Sequence, residues 1–294
     1  MKLGMFAQPA TVDAAIGDVK AIADAGFASA WMPQIFGLDT LTALAIASRE
    51  VPGIELGTAV VPTFPRHPMM LAAQARTVQQ VSGGRLTLGI GLSHQMVIEG
   101  MLGMEWDKPV RHLREYLEIL QPLLRGEAAD FTGETLSGHL ALEIPDSTPV
   151  PTLVAALGTQ MLNVTGRLAE GTVTWMTGPG TIGNHIVPTI RAAAAEAGRP
   201  EPRVVCPLPV CVTDDEATAR AKAGEQFQIY GFLPSYRAML DREGVAGPAD
   251  VAIVGTAATV RAAVENIFEQ GATEFVAIPY SNRDATIEVL QGLL

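Results

Sequence analysis

Of the five histidines in the chain, His94 is the one placed to do chemistry. It follows the apolar run Leu86–Ile90 in Gly91-Leu92-Ser93-His94-Gln95. An imidazole with an ordinary pKa near 6.5 can exchange a proton with a substrate at neutral pH. A histidine that only hydrogen-bonds its own loop fits the same place. Two glycine turns, Leu157-Gly158-Thr159-Gln160 and Met176-Thr177-Gly178-Pro179-Gly180, lead directly into helical stretches. Successive amides at such a turn, with a helix dipole behind them, make a phosphate cradle; the same glycines also serve plain tight turns. The segment Gly57-Thr58-Ala59-Val60-Val61-Pro62-Thr63-Phe64-Pro65-Arg66-His67-Pro68 carries three prolines in its last seven residues. Proline fixes φ and removes a donor, so this loop is stiff, as a wall against a flat ring needs to be. Arg66 and His67 within it suit an anionic ligand or solvent equally. Glu99, five residues past His94, reads either as its proton partner or as a helix-surface charge.

Other patterns point away from chemistry. Gly89-Ile90-Gly91 lacks the third glycine and the following helix of a dinucleotide fingerprint. Asn163-Val164-Thr165 matches a glycosylation sequon but falls in a helical stretch. His112, His139 and His185 lie in separate elements, without metal-ligand spacing. Trp31 and Trp175 read as core residues near a rim, where one of them can line a pocket.

The elements that must position these residues alternate regularly. Short apolar runs at Leu3–Phe6, Ala28–Met32, Ile54–Val60, Leu86–Ile90, Thr152–Ala156, Thr172–Trp175, Val204–Val212 and Glu274–Ile278 are each followed by a helical stretch. Continuous apolar runs suit strands covered on both faces of a parallel sheet. Eight such units predict an α/β fold, a (β/α)₈ TIM barrel, which needs roughly 250 residues. Its active site lies at the carboxyl ends of the strands, where all the candidates above fall. Asp107 with Pro109 opens a helix striped by Val110, Leu113, Leu117, Leu120 and Leu124 and ended by Gly126; Thr256 opens another that Gly271 closes. Two stretches exceed a minimal barrel. Glu127–Val150 reads as a hairpin excursion, and Gly224–Asp250, with Tyr230, Phe232 and Tyr236, as a helical insertion shaping the substrate side. One domain over 1–294 is expected.

Composition narrows the function. The chain has 294 residues, 48% hydrophobic and 17% charged, with a mean hydropathy of +0.24, enough to bury a large core. A net charge of −11 argues against nucleic acid, which needs a basic stripe, but not against a small anionic ligand held by local donors. Cys206 and Cys211, five apart on one strand, point to opposite faces and suggest no disulfide. No apolar run reaches the ~20 residues of a membrane span, and the start carries no leader pattern. A cytoplasmic protein acting on a small-molecule substrate is expected.

Three blocks carry a family resemblance: Leu56–Pro68, Ser82-Gly83-Gly84-Arg85-Leu86-Thr87-Leu88-Gly89-Ile90-Gly91, and Gly171-Thr172-Val173-Thr174-Trp175-Met176-Thr177-Gly178. Together they resemble the luciferase-like monooxygenase superfamily, in its F420-dependent actinobacterial branch. That resemblance implies a barrel with insertions, a homodimer, and an oxidoreductase that moves a hydride between the deazaflavin C5 and an activated alkene, imine or carbonyl. It implies a non-prolyl cis peptide at Ala59–Val60 against the cofactor ring, and phosphate binding at Gly158-Thr159 and Thr177-Gly178. The implied cofactor contacts are Ala59, Val60, Val61, Thr63, Ser93, Gly158, Thr159, Gln160, Met176, Thr177 and Gly178, with His94 as the catalytic residue and no metal. The alternatives are an FMN-dependent monooxygenase on the same barrel and a catalytically silent flavin- or F420-binding protein. The family's sugar-phosphate dehydrogenases carry an Asp-His pair where this chain has Pro33-Gln34, a glutamate at the position of His94 and a lysine at that of Pro179, so glucose 6-phosphate is disfavoured as a substrate.

Overall fold

Strands of consecutive apolar residues have to be covered on both faces, and here each one is. In the computed structural model, which describes residues 1–294, the strands are β1 Leu3–Phe6, β2 Ser29–Met32, β3 Glu55–Thr58, β4 Val61–Pro62, β5 Leu86–Gly91, β6 Ala129–Thr132, β7 Ser137–Leu140, β8 Thr152–Val154, β9 Gly171–Val173, β10 Arg203–Val212, β11 Ile253–Gly255 and β12 Glu274–Pro279. Parallel pairing runs β1-β2-β3-β5-β8-β9-β10-β12 and returns to β1. The eight-stranded barrel expected from the sequence is closed, with helices between its strands. β8 and β9 each end two residues earlier than the apolar pattern predicted, because Ala155, Ala156, Thr174 and Trp175 belong to the turns above them. The strand β11 was not expected; it pairs with Val210–Val212 at the upper end of β10.

The helices start and stop on local chemistry. Thr256 caps helix Ala257–Glu269 by accepting the Thr259 amide, and Gly126 ends helix Pro109–Arg125 at φ 84°. Asp107 does not cap that helix, since the N-cap is Lys108 in the left-handed region with no side-chain bond. Its apolar stripe is buried at Leu113, Leu117, Leu120 and Leu124. The block Ser82–Arg85 is structural. Gly83 and Gly84 turn at positive φ, and the Arg85 guanidinium donates to the carbonyls of Ser48, Val51, Ile54 and Ser82 at 2.7–3.1 Å. It clamps the lower ends of β3 and β5 to the helices before them.

Inside the barrel, Trp31, Leu153, Val173, Val205 and Val276 form one layer, with Phe6, Ala59 and Val60 packed on it. Below lies a charged plug. Arg203 donates to Glu55 at 2.9 Å and Glu274 at 2.8 Å, Lys2 pairs with both, and the Trp31 indole donates to Glu274 at 2.9 Å. Each of these ions has several partners, which is the condition for burying charge. Burial alone would raise the Glu55 carboxyl, but Arg203 and Lys2 hold it below its ordinary value. The plug fills the lower end of the barrel beneath the apolar layer, with Glu274 fully buried and Lys2, Glu55 and Arg203 reaching solvent at its rim.

Residues 127–150 form the expected hairpin, β6 with β7, tied down by the buried Glu115 carboxylate, which accepts the amides of Glu134, Thr135 and Leu136. The later insertion, 224–250, starts in the last turn of helix Glu216–Gln226 and runs through the turn Gln228–Gly231 and helix Pro234–Glu243 into the short helix Pro248–Val251. No helix is long and apolar enough to cross a membrane.

Candidate active site

The floor of the barrel mouth is made by a bulge in the third barrel strand. Gly57 pairs with Thr87 and Val61 with Ile90, so Thr58, Ala59 and Val60 face only Leu88 and Gly89, one residue more than the ladder holds. The Thr58 hydroxyl fills the gap, donating to the Gly89 carbonyl at 2.7 Å and accepting the Gly89 amide at 2.8 Å. Glycine is required opposite. A Cβ on Gly89 would overlap the Thr58 carbonyl oxygen, and one on Gly91 would lie 2.6 Å from Val60 Cγ2. Gly89 and Gly91, which as a motif point to nothing, are the space into which the bulge is pushed. The Ala59–Val60 peptide is cis, as expected. Both residues are half-buried, lying on the inner apolar layer and facing the mouth.

Beside this floor, on the next strand, stands His94. Ser93 turns at φ 65° and lifts His94 to the N-cap of the short helix Gln95–Gly100, where its side chain makes no capping bond. The ring packs edge-on against Tyr236, centroids 5.5 Å apart at 61°. Neither ring nitrogen bonds within the chain, so His94 is not spent on holding its loop. Burial lowers its pKa, and the neutral form, a proton acceptor, prevails at neutral pH. Glu99 is no partner: its carboxylate accepts from Gln95 at 3.0 Å on the helix surface.

One strand further, after β8, comes the Gly158 turn. Gly158, Thr159 and Gln160 are exposed, the helix Thr159–Leu168 has no side-chain cap, and nothing lies within 4 Å of a Cβ built on Gly158. Its first amides are open to a ligand, and His185 fixes the turn from behind through Leu157 O at 2.8 Å. β3, β5 and β8 are neighbours, so floor, histidine and open amides occupy one contiguous arc of the rim.

The other glycine turn departs from expectation. Met176, Thr177 and Gly178 are buried, and the amides behind them, Gly180 and Thr181, donate to the Glu243 carboxylate at 3.0 and 2.6 Å. An acid from the insertion thus occupies these amides. Two more expected contacts are also withdrawn from the mouth. Val61 is fully buried, and the buried Thr63 bonds His112 at 3.1 Å. Those residues stiffen the wall. Phe64 stacks on His112 at 4.0 Å and on Trp106 at 4.9 Å, and burial pushes the His112 imidazole down to about 4. Arg66 and His67 are likewise taken up, Arg66 by Asp39 at 2.5 Å and His67 by the Met69 amide and the Ser137 carbonyl. Over the mouth lies an aromatic roof in which Trp175 meets Phe227 and Tyr230, and Tyr230 meets Tyr236. Phe232 is not part of it, being 72% exposed. Glu243 and the Thr58–glycine fit escape a linear reading, because each depends on segments brought together only by the fold.

The sequence profile of the luciferase-like monooxygenase family matches residues 1–274. The chain belongs to this family. Among curated relatives, a 5,10-methylenetetrahydromethanopterin reductase of Methanolobus tindarius is 26% identical over 79% of this chain and 71% of its own length. One of the same name from Archaeoglobus fulgidus is 28% identical over 86% and 74%. Among solved structures, the coenzyme F420-dependent tetrahydromethanopterin reductase of Methanopyrus kandleri superposes with a TM-score of 0.82 at 22% identity, covering 99% of this chain and 97% of that one. At that identity the likeness shows the shared fold.

Proposed function

We propose that this luciferase-like protein is a coenzyme F420-dependent oxidoreductase, with the deazaflavin ring on Ala59–Val60 and its phosphate on the amides of Gly158, Thr159 and Gln160. The observation that carries this is the contiguous arc on the ends of β3, β5 and β8: a half-buried apolar floor, an unpaired imidazole and an uncapped helix N-terminus. A flat ring needs an apolar support that excludes water beneath it, and a phosphodiester needs unpaired amides; the residues present fit both. The F420-dependent name of the Methanopyrus neighbour agrees.

When bound, F420 supplies two-electron hydride chemistry at its C5. The chain supplies the rest. Ser93 and His94 would border the ring, His94 would carry the proton that accompanies a hydride, and Tyr236 with Tyr230 and Trp175 would cover the substrate side and keep water out. With its pKa lowered, His94 is set to accept a proton from a substrate losing hydride, such as a hydroxyl or amine being converted to carbonyl or imine. The reverse reduction uses the same groups. A homodimer belongs to the same proposal: Ile46 and Met70, large apolar residues exposed on adjacent outer helices, suit a covered face.

The test is a parallel fluorescence titration of the pure protein with F420 and with FMN. Saturable binding of F420, and weaker binding of FMN, is expected. Flavin retained through purification together with oxygen consumption would instead identify a flavin monooxygenase.

A further inference from the structure

On a chain of net charge −11, one surface groove is lined by cations. It runs between helices Pro109–Arg125 and Thr159–Leu168, encloses about 740 Å³, and is lined by Lys108, Arg111, Arg114 and Arg167 against a single lining acid, Glu118. Both helices begin at the mouth of the barrel. Gln160, part of the open Gly158 turn, lines the groove at that end, and Arg167 at the far end. The groove thus starts where the uncapped amides are and descends the outer wall.

Its cations are only loosely committed. Lys108 and Arg111 share Glu134, Asp107 lies 3.7 Å from Lys108, and Arg167 pairs with Glu196 at 2.9 Å, all on exposed side chains. Exposed pairs of this kind contribute little and exchange readily. Arg114 makes no ion pair. A ligand with several carboxylates in sequence can replace Glu134 and Glu196 and engage Arg114 as well.

We propose that this groove binds an oligocarboxylate extension of the ligand whose phosphate rests on the Gly158 turn. This rests on the F420 reading, under which the extension is the cofactor's oligo-γ-glutamyl tail. The attraction is between exposed charges, so it weakens as salt screens them.

The experiment compares, by fluorescence, the affinity of wild type for long-tailed F420 and for F420 stripped of its glutamates, at low and at near-physiological salt. The doubly substituted protein, Arg114→Gln with Arg167→Gln, is titrated beside it. At low salt, wild type is expected to prefer the tailed form about fivefold to tenfold, as a few weak ion pairs allow. That preference shrinks with added salt and disappears in the double variant, whose affinity for the stripped form is unchanged. If wild type binds both forms equally, or the double variant keeps the preference, the groove has no such role and the proposed function stands. If neither form binds, both fail. Should the variant misfold, the tail-length and salt comparison on wild type still decides.

Discussion

At the residue scale, two histidines differ in what holds them: His112 is buried and His94 only half-buried. His112 is walled in by Phe64 and Tyr116 and bonded to Thr63. Its folded pKa, pushed down to about 4 by burial, lies below the unfolded value near 6.5, so between these pH values the unfolded chain binds the extra proton. Stability from this group is complete above pH 6.5 and is lost as pH falls towards 4. Melting curves should show wild type losing stability faster than His112→Asn across that window, and parallel slopes would contradict the assignment. His94 has a free ring facing the mouth. His94→Ala should leave the melting temperature within a few degrees and F420 affinity within about threefold, while lowering turnover by about 10²–10⁴-fold. If His94 acts as the base, the rate should rise with pH through a midpoint below 6.5, and the variant should lose that limb. Glu243 marks a limit of sequence reading: its carboxylate caps amides 62 and 63 residues away, and no local pattern announces such a pairing.

At the element scale, the bulge and its facing glycines form one device. Gly89→Ala sets a methyl against backbone, the Thr58 carbonyl, which cannot give way without breaking the Thr58 bonds to β5. A loss of about 3 kcal/mol or more in denaturant unfolding is expected, and a variant as stable as wild type would contradict the fit. Gly91→Ala meets a side chain, Val60, which can shift. It should cost about 1–2 kcal/mol yet weaken F420 binding more than tenfold, because Val60 is the floor. The barrel strands were legible because parallel strands carry unbroken apolar runs. The break between β3 and β4 was anticipated only through the family resemblance, with its cis bond at Ala59–Val60; the residue pattern alone reads Thr58–Val60 as more of the same strand until β5 is laid beside it. Likewise Met176–Gly178 has the composition of an open turn, and only the insertion folded over it shows that it is closed.

At the scale of the whole molecule, the barrel carries a charged plug at its lower end and the candidate site at its upper end. Arg203, Glu55, Glu274 and Lys2 lie at the amino ends of their strands, and Glu274 is completely buried. Arg203→Met would leave two carboxylates with only Lys2, and breaking a buried network in this way costs about 3–5 kcal/mol. That loss should appear in unfolding while F420 affinity, measured on the folded fraction, stays near wild type, because the plug and the mouth are separated by the inner apolar layer. The family and the position of the mouth could be read from three short blocks. The difference between the two glycine turns could not: one is exposed, and the amides behind the other are taken by Glu243. The most direct measurement is therefore a crystal structure of the protein with F420 bound. The account predicts the ring against Ala59 and Val60, the phosphate on the amides of Gly158–Gln160, and Glu243 still on Gly180 and Thr181. A phosphate at Gly178–Thr181 with Glu243 displaced, or a ring away from the bulge, would contradict it.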